Sequence, residues 1–279
     1  MACRRGAGDE LLDNLAVKWS VNLFRIPRGG IQVGDVFVVQ KRTLNEWDRL
    51  PNLYQPKLEL PEPESRPVGD MEQVESQSYA ADAGFEALQG FLQGLGVPAL
   101  PLRATIKAAR KSTVALSFSV GGVTRIALLP GVIKREMERR VKGARWGIVD
   151  PKIRYVVVHA VWQATSLQIK LKGGHQVVSE LSARLTGVAG GSGKLKATHH
   201  TSGTIKYHRH DPIAFGVQVA GVHFEGGVPL LKGAPDMSTM QVRRSAGPVG
   251  TPADELAADE RAYGLLIGAQ DGSPFVTLR

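Results

Sequence analysis

The chain has 279 residues, of which 43% are hydrophobic and 22% charged, and this composition is typical of a folded protein. A single cysteine excludes an intramolecular disulfide and a zinc site built on cysteines, and no apolar run approaches the roughly 20 residues that a membrane-spanning helix needs. The net charge of +9 is uneven, because residues 245–279 carry −3 and residues 1–244 carry +12. A basic body favours an anionic partner, either nucleic acid or a membrane surface.

The N-terminus combines a lone thiol with basic side chains, since Cys3 is followed directly by Arg4 and Arg5. The next apolar residues, within the stretch 11–15, are interrupted by charge and do not form the core of a signal peptide. We therefore expect the protein to be made in the cytoplasm, where a single cysteine stays reduced.

The first half of the chain predicts few regular elements. Residues 21–39 predict a strand, a turn and a second strand, because Pro27 and two glycines separate two apolar runs. Residues 55–78 contain four prolines and many acids, and they predict a surface loop. Residues 83–96 place apolar side chains at helical spacing between glycines, which predicts a helix that depends on packing.

The middle of the chain is rich in predicted strands. Alternating apolar and polar residues predict strands over 112–120, over 153–174 as one long strand or two, over 175–191 and over 193–231. Breaks within the last stretch are predicted at Ser202–Gly203, Asp211–Pro212 and Gly226–Gly227. Residues 128–143 predict a turn and a helix with a basic end. Together these elements indicate an α+β fold with a long, twisted, mainly antiparallel sheet and flanking helices.

The predicted strands carry small polar residues, rather than dense charge, on one face. Alternation over about 10 residues with one apolar face is typical of a membrane β-strand. The same pattern describes a sheet with one face on a protein core. Periodicity alone leaves both interpretations open.

Motifs for catalysis and metal binding are incomplete. The stretch GGSGK at 190–194 lacks the residues of a phosphate-binding loop, because Val188 and Leu195 stand where glycine and a hydroxyl residue are needed. The histidines at 199–200 and 208–210 have one nearby carboxylate, Asp211, whereas a metal site needs three or four ligands. We expect no metal, no catalytic residues and no enzymatic activity; a hydrolase of unrecognised type would need a polar pocket that the sequence does not display.

Two stretches together resemble the bacterial gasdermins. Residues 21–37, VNLFRIPRGGIQVGDVF, are similar to the opening strand and Arg-Ile-Pro-Arg turn of that family. Residues 202–227 are similar to its closing strands, in which a Pro-aliphatic-x-Phe-Gly-x-Gln run leads into an aliphatic strand. The residues that match this run are Pro212, Ile213, Phe215, Gly216 and Gln218. The resemblance spans most of residues 1–232, and the tail after residue 233 is longer than the family leads us to expect.

The resemblance implies a pore-forming domain over residues 1–234, followed by a linker and C-terminal autoinhibitory peptide over residues 235–279. It implies a cytoplasmic monomer that a caspase-like or trypsin-like protease activates by cutting the peptide away. The body would then insert two β-hairpins into the inner membrane, bind anionic lipids, and assemble a large homo-oligomeric β-barrel pore that kills the cell as an antiphage defence. Strands near 103–120 and 153–208 would supply the hairpins.

The resemblance also implies roles for residues of the tail and the N-terminus. The side chains expected to make autoinhibitory contacts are Tyr263, Leu265, Leu266, Ile267, Phe275, Val276 and Leu278. The candidate cleavage positions are Arg243, Arg244 and Arg261 for a trypsin-like protease, and Asp236 and Asp259 for an aspartate-specific one. An ordinary flexible linker explains the same composition.

Cys3 is implied to carry a covalent palmitoyl group, which would be the only cofactor. One acyl chain binds a membrane only marginally, so that Arg4 and Arg5 would supply part of the second signal that anchoring needs. The acyl chain would have to be hidden in an apolar pocket of the resting protein. An unmodified terminal thiol is the alternative.

The alternative function is that of a basic nucleic-acid-binding protein. A sequence pI near 9.8 and the basic stretches 134–145 and 194–210 favour it. Aromatic residues make up only 6% of the chain, and no nucleic-acid-binding motif with stacking residues is present.

Overall fold

The structure is a computed structural model. It describes residues 21–40, 43–71, 92–94, 115–147, 153–172, 195–200, 203–232 and 275–278, together with single residues between 178 and 186.

Ten strands, one α-helix and two 3₁₀ turns are described over their full length, and further helical residues lie at 92–94 and between 178 and 186. The strands are β1 (Asn22–Arg28), β2 (Asp35–Gln40), β3 (Thr43–Arg49), β4 (Glu64–Met71), β5 (Ala115–Ala127), β6 (Arg154–Lys172), β7 (Leu195–His200), β8 (Thr204–Glu225), β9 (Val228–Lys232) and β10 (Phe275–Leu278). The helix is α1 (Pro130–Arg139), and the 3₁₀ turns are Leu50–Leu53 and Val141–Gly143.

All ten strands belong to one sheet, in the order β4-β5-β6-β2-β3-β10-β1-β8-β7, with β9 paired to β8. Because β6 also pairs with β8, six strands form a closed ring: β6, β2, β3, β10, β1 and β8 each pair with the next, and β8 returns to β6. Among the described strands, every pairing is antiparallel except the two that β10 makes. The predicted long, mainly antiparallel sheet is confirmed.

The core lies where the strands form the ring. Ten consecutive residues of β8, from Ile213 to Val222, are buried, and so are five consecutive residues of β2. Burial on both faces explains why these strands are continuous apolar runs and do not alternate. Helix α1 begins with Pro130, which suits the first helical position, and it packs Ile133 and Met137 into this core.

Several predicted elements are confirmed with small changes. The helix predicted within 128–143 is α1, residues 92–94 are helical as predicted, and 153–174 contains the single strand β6. The strands predicted within 21–39 are β1 and β2. They do not form a hairpin, because β1 pairs with β8 and β10 whereas β2 pairs with β3 and β6.

The prediction of a surface loop over 55–78 is wrong over residues 64–71, which form β4. Its proline, Pro67, is tolerated because β4 is an edge strand with β5 as its one partner among the described strands. The proline-rich, acidic stretch 55–78 therefore contains an edge strand.

One strand prediction and one predicted break are also wrong. In the stretch 175–191, the described residues are helical, and the Thr186 hydroxyl donates to the Ser182 carbonyl oxygen at 2.7 Å. Apolar residues four positions apart, Leu181 and Leu185, fit a helix as well as a strand. The break predicted at Asp211–Pro212 is absent, because β8 runs continuously through these residues. The register of β8 against β6 shifts there, so the ladder does not need a hydrogen bond from the proline.

Candidate functional site

The described C-terminal strand, β10, occupies a slot between β1 and β3. On one side Phe275 and Val276 are register partners of Leu23 and Phe24, and on the other side Thr277 and Leu278 are partners of Thr43 and Leu44. The β1 and β3 partners of this slot include fully buried positions, since Phe24 is 2% exposed and Leu44 0%. A segment distant in sequence therefore completes the ring at its core.

Without β10, the ring would have two unpaired edges. Neighbouring strands lie about 4.8 Å apart, so β1 and β3 are separated by about twice that distance and cannot pair directly in this arrangement. Past the last residue of β10, the Arg28 guanidinium on β1 lies 3.4 Å from the Glu46 carboxylate on β3. This ion pair is partly exposed, and it spans the slot where the backbone of β10 ends.

Beyond the ring, the long strands continue as a second region, which we call the tip segment: residues 163–172 of β6 and 204–208 of β8, with the parts of β5 and β7 that pair with them. Here burial alternates, with Leu167, Ile169 and Leu171 buried between the less buried Gln168 and Lys170. Alternation with an apolar and a polar face is the pattern of strands that can lie with one face against a hydrocarbon phase. No helix of the described residues is long and apolar enough to cross a membrane.

A partly buried polar cluster lies at the junction between the ring and the tip segment. The Arg125 guanidinium on β5 donates two hydrogen bonds to the Gln218 side-chain oxygen on β8, at 3.3 and 3.1 Å. The same guanidinium lies 6.0 Å from the centre of the Trp162 ring on β6. The cluster therefore connects the three long strands.

His159 on β6 is the most unusual member of this junction. The residue is 1% exposed, and neither ring nitrogen has a hydrogen-bond partner among the described residues. Burial, with a smaller contribution from the positive charge of Arg125, lowers the pKa of His159 to about 3. The imidazole is therefore neutral at physiological pH, and its protonation would oppose this arrangement of strands.

A basic surface extends over α1 and the turn that follows. Glu136 is within salt-bridge distance of Arg135 and Arg139, and Glu138 of Lys134. The next cations along the chain, Arg140, Lys142 and Arg145, have no salt bridge within the part of the chain that the structure describes, and the latter two are exposed. This surface carries net positive charge toward solvent.

A cavity of about 370 Å³ lies between the ring and the segment that leads into β4. Ile31, Leu60 and Ile126 are among its apolar walls, and Arg49 and Glu62 are among its charged ones. Within the described residues, no group of three metal-ligating side chains occurs here or elsewhere.

The structure describes three of the residues predicted as sites. Phe275, Val276 and Leu278 all belong to β10, and their backbones lie in the sheet. The remaining predicted site residues lie outside the described residues: Cys3, Asp236, Arg243, Arg244, Asp259, Arg261, Tyr263, Leu265, Leu266 and Ile267.

Sequence reasoning missed the junction cluster and the edge strand β4. The one available signal for His159 is that a single histidine interrupts the apolar run YVVVHAVW. Nothing in the sequence indicates that Arg125 lies beside it, because the two residues meet through the pairing of β5 with β6.

The fold is thus that of an α+β protein in which a large, mainly antiparallel sheet includes a strand from the C-terminal tail, with no catalytic constellation among the described residues. The chain belongs to the bacterial gasdermins, because the family model described as "Bacterial Gasdermin Family" matches residues 24–234. This is a family of non-enzymatic, pore-forming proteins.

A solved structure supports the same fold. The structure of a bacterial gasdermin from Bradyrhizobium tropiciagri is similar to this chain with a TM-score of 0.51 and 17% sequence identity, over 79% of this chain and 89% of that one. A comparison with curated protein sequences gives no match.

Proposed function

We propose that this chain is an autoinhibited pore-forming protein that a protease activates, that then oligomerises in the inner membrane, and that kills the cell as an antiphage defence. In the resting state it is a cytoplasmic monomer. The activating enzyme is a caspase-like or trypsin-like protease that cuts within residues 235–261.

The observation that carries this proposal is the position of β10. A four-residue strand forms few hydrogen bonds, so its occupancy of the slot depends on being covalently joined to the body, which keeps its effective concentration high. Cutting the linker turns β10 into a separate peptide that is free to dissociate. Its departure leaves β1 and β3 with unpaired backbone groups at the core of the ring.

The long strands β6 and β8 belong to both the ring and the tip segment. Opening of the ring therefore also changes the packing of the tip segment. β6 pairs with β2 and β8 within the ring and then continues into the tip segment. Loss of the ring therefore removes packing that holds β6 and β8 in their resting geometry. In lipid, the amphipathic strands satisfy their backbone groups only within a closed barrel, which requires many copies.

The charge of the body supports anionic lipids as the membrane partner. Exposed cations near a membrane each contribute about 1 kcal/mol of attraction to an anionic surface. Lys142 and Arg145 follow α1, are exposed and have no salt bridge among the described residues, and they supply such cations. Palmitoylation of Cys3 would add a hydrophobic anchor, and an unmodified mass for the intact chain from native cells would refute that part.

Dye release from anionic liposomes tests the proposal. A specific protease site is introduced near residue 245, and leakage is compared between intact protein, cut protein, and the parent chain exposed to the same protease. We expect leakage only from the cut protein. Absence of leakage after confirmed cutting and release of the tail peptide refutes the proposed function and favours nucleic-acid binding, which filter binding at several salt concentrations then measures.

A disulfide between β10 and β3 tests whether activation requires β10 to leave its slot or only requires the linker to be cut. Thr277→Cys and Thr43→Cys substitute directly paired positions. We expect the oxidised, cut protein to remain inactive, and the same sample to leak once reductant is added. Leakage from the oxidised, cut form would show that cutting activates the protein without departure of β10, and would refute its inhibitory role.

A further inference from the structure

One face of the tip segment carries positive charge, and we call it the polar face. On β6 its residues are Ser166, Gln168 and Lys170, and their register partners on β8 are His208, Lys206 and Thr204. Partners that lie directly opposite each other in an antiparallel pair project to the same side of the sheet. The side chains of Lys170 and Lys206 are both exposed, so both ammonium groups lie on the solvent side of this face.

The neighbouring strands extend this face without adding negative charge. β7 brings a third lysine, Lys196, into register with His208, and on β5 the partners of Gln168 and Lys170 are both serines. Ser166, Gln168 and Lys170 each belong to a row of four paired residues across β5, β6, β8 and β7. Each of these three rows contains one lysine and no aspartate or glutamate.

Two described carboxylates lie at the end of the polar face that is nearer to the ring. Asp70 on β4 accepts a hydrogen bond from the Gly122 N–H on β5 at 2.9 Å. Asp211 lies in β8 between His208 and Ile213, where the register with β6 shifts. The polar face therefore becomes more positive away from the ring.

The opposite face of the same strands is apolar. Leu167 and Ile169 on β6 and Ile205 and Tyr207 on β8 are at most 1% exposed. In a membrane barrel, alternating strands direct the apolar face to lipid and the polar face to the interior. In the proposed pore, the polar face would line the aqueous lumen, and every copy would add the same lysines to it.

We propose that the polar face of the tip segment lines the pore lumen and that Lys170 and Lys206 make the pore favour anions over cations. This inference rests on the proposed pore function. Rings of basic side chains are the arrangement by which pores select anions and phosphates. Because the attraction grows with the charge of the solute, the class of solute favoured most is that of polyanions, such as phosphate esters. Salt screens this field over about 10 Å at 0.1 M, so the preference is strongest at low salt.

Reversal potentials in planar bilayers test the selectivity. The chain with the protease site near residue 245 is cut on an anionic bilayer, across a KCl gradient from about 0.01 M to about 0.1 M. We expect chloride to permeate about two- to fivefold better than potassium, and the ratio to approach 1 when both solutions are made more concentrated. A ratio of 1 or lower at low salt overturns the inference.

Charge reversal at single positions shows whether these lysines cause the preference. We expect Lys170→Glu and Lys206→Glu each to lower the chloride-to-potassium ratio about twofold or more, and Lys206→Gln to give an intermediate value. Lys57→Glu makes the same change at an exposed position outside the tip segment and should leave the ratio unchanged. Conductance with a ratio that neither glutamate variant alters overturns the inference and leaves the pore function intact, whereas absence of conductance from the cut parent refutes the pore function itself.

Chemical restoration of the charge tests which face is lined by water. Lys206→Cys removes the charge, and a thiosulfonate reagent that attaches an ammonium group to the open pore should restore the parent's ratio. Ile169→Cys, on the apolar face, should not respond to the same reagent. The parent chain, whose single cysteine is Cys3, is the control for modification elsewhere. An equal response from Ile169→Cys and Lys206→Cys overturns the assignment of the polar face to the lumen.

Release of larger solutes tests the preference for polyanions. Liposomes are loaded with a neutral and a carboxylated dextran of equal mass, and the two release rates are compared at low salt for the cut parent and for cut Lys206→Glu. We expect the ratio of carboxylated to neutral release to be about two- to fivefold higher for the parent. Because the lipids are the same in both samples, equal ratios overturn the proposed preference for polyanions.

Discussion

Replacement of His159 by leucine tests the cost of keeping an unpaired imidazole at the junction between the ring and the tip segment. The two side chains are similar in size, and the position is 1% exposed. Burial lowers the pKa of His159, and the positive charge of the Arg125 guanidinium on β5 lowers it further. The substitution therefore changes one titratable group with little change in volume.

The sign of the pH dependence follows from the depressed pKa. The folded protein holds His159 with a pKa of about 3, whereas the ordinary value is 6.5, so the unfolded chain binds a proton first as the pH falls. Stability is lost below pH 6.5 and continues to fall until about pH 3. At pH 5 this one group lowers the free energy of unfolding by about 2 kcal/mol relative to neutral pH.

Urea unfolding of the uncut protein at pH 7.5 and pH 5 measures this difference. We expect the parent to lose about 2 kcal/mol more than His159→Leu between the two pH values. We also expect the variant to be at least as stable as the parent at pH 7.5, because unsatisfied ring nitrogens are removed. His210→Leu, at an exposed position of β8, is the control and should lose stability as the parent does. Equal losses for parent and His159→Leu would refute the reasoning.

Three further substitutions test the ring, each by urea unfolding of the uncut protein. Gly216→Ala is expected to lower the free energy of unfolding by about 1–3 kcal/mol. The new methyl group would lie against a side chain and 3.1 Å from a carbonyl oxygen of β1. Gly29→Ala is the control and should be neutral, because nothing lies within 4 Å of the new methyl group. Leu44→Ala should cost about 2–5 kcal/mol, since this fully buried residue lines the β10 slot. Glu46→Gln should cost no more than about 1 kcal/mol, because its ion pair with Arg28 is exposed; a larger loss would mean that the pair holds the slot closed.

Sequence periodicity predicted the long strands because burial differs along them in a regular way. The alternation around Ile169 and the continuous apolar run from Ile213 are local patterns that reflect one covered face and two covered faces. Periodicity failed for β4, whose side chains are almost all exposed, so no apolar alternation marks it. The proline-rich, acidic composition of residues 55–78 suggested a loop, but edge strands also tolerate proline and charge.

The remaining features depend on contacts between residues distant in the chain. The resemblance to bacterial gasdermins indicated an inhibitory tail, but no sequence pattern could place Phe275 beside Leu23 or close the sheet into a ring. The same holds for the hydrogen bonds between Arg125 and Gln218, which require β5, β6 and β8 to be in register. Local sequence determines which segments are strands, and the order of strands is determined by tertiary packing.

One strand of this sheet differs from the others in the direction of its pairings. β10 is the one described strand that pairs parallel on both sides, and it fills the slot between β1 and β3. The long strands β5, β6 and β8 pair antiparallel with one another. In the proposed mechanism, the strand that leaves is therefore the one that does not fit an antiparallel arrangement, and the long strands that remain already alternate in direction. The backbone groups that the resting protein satisfies with β10 would then need new partners, which in lipid only a closed barrel of many copies supplies.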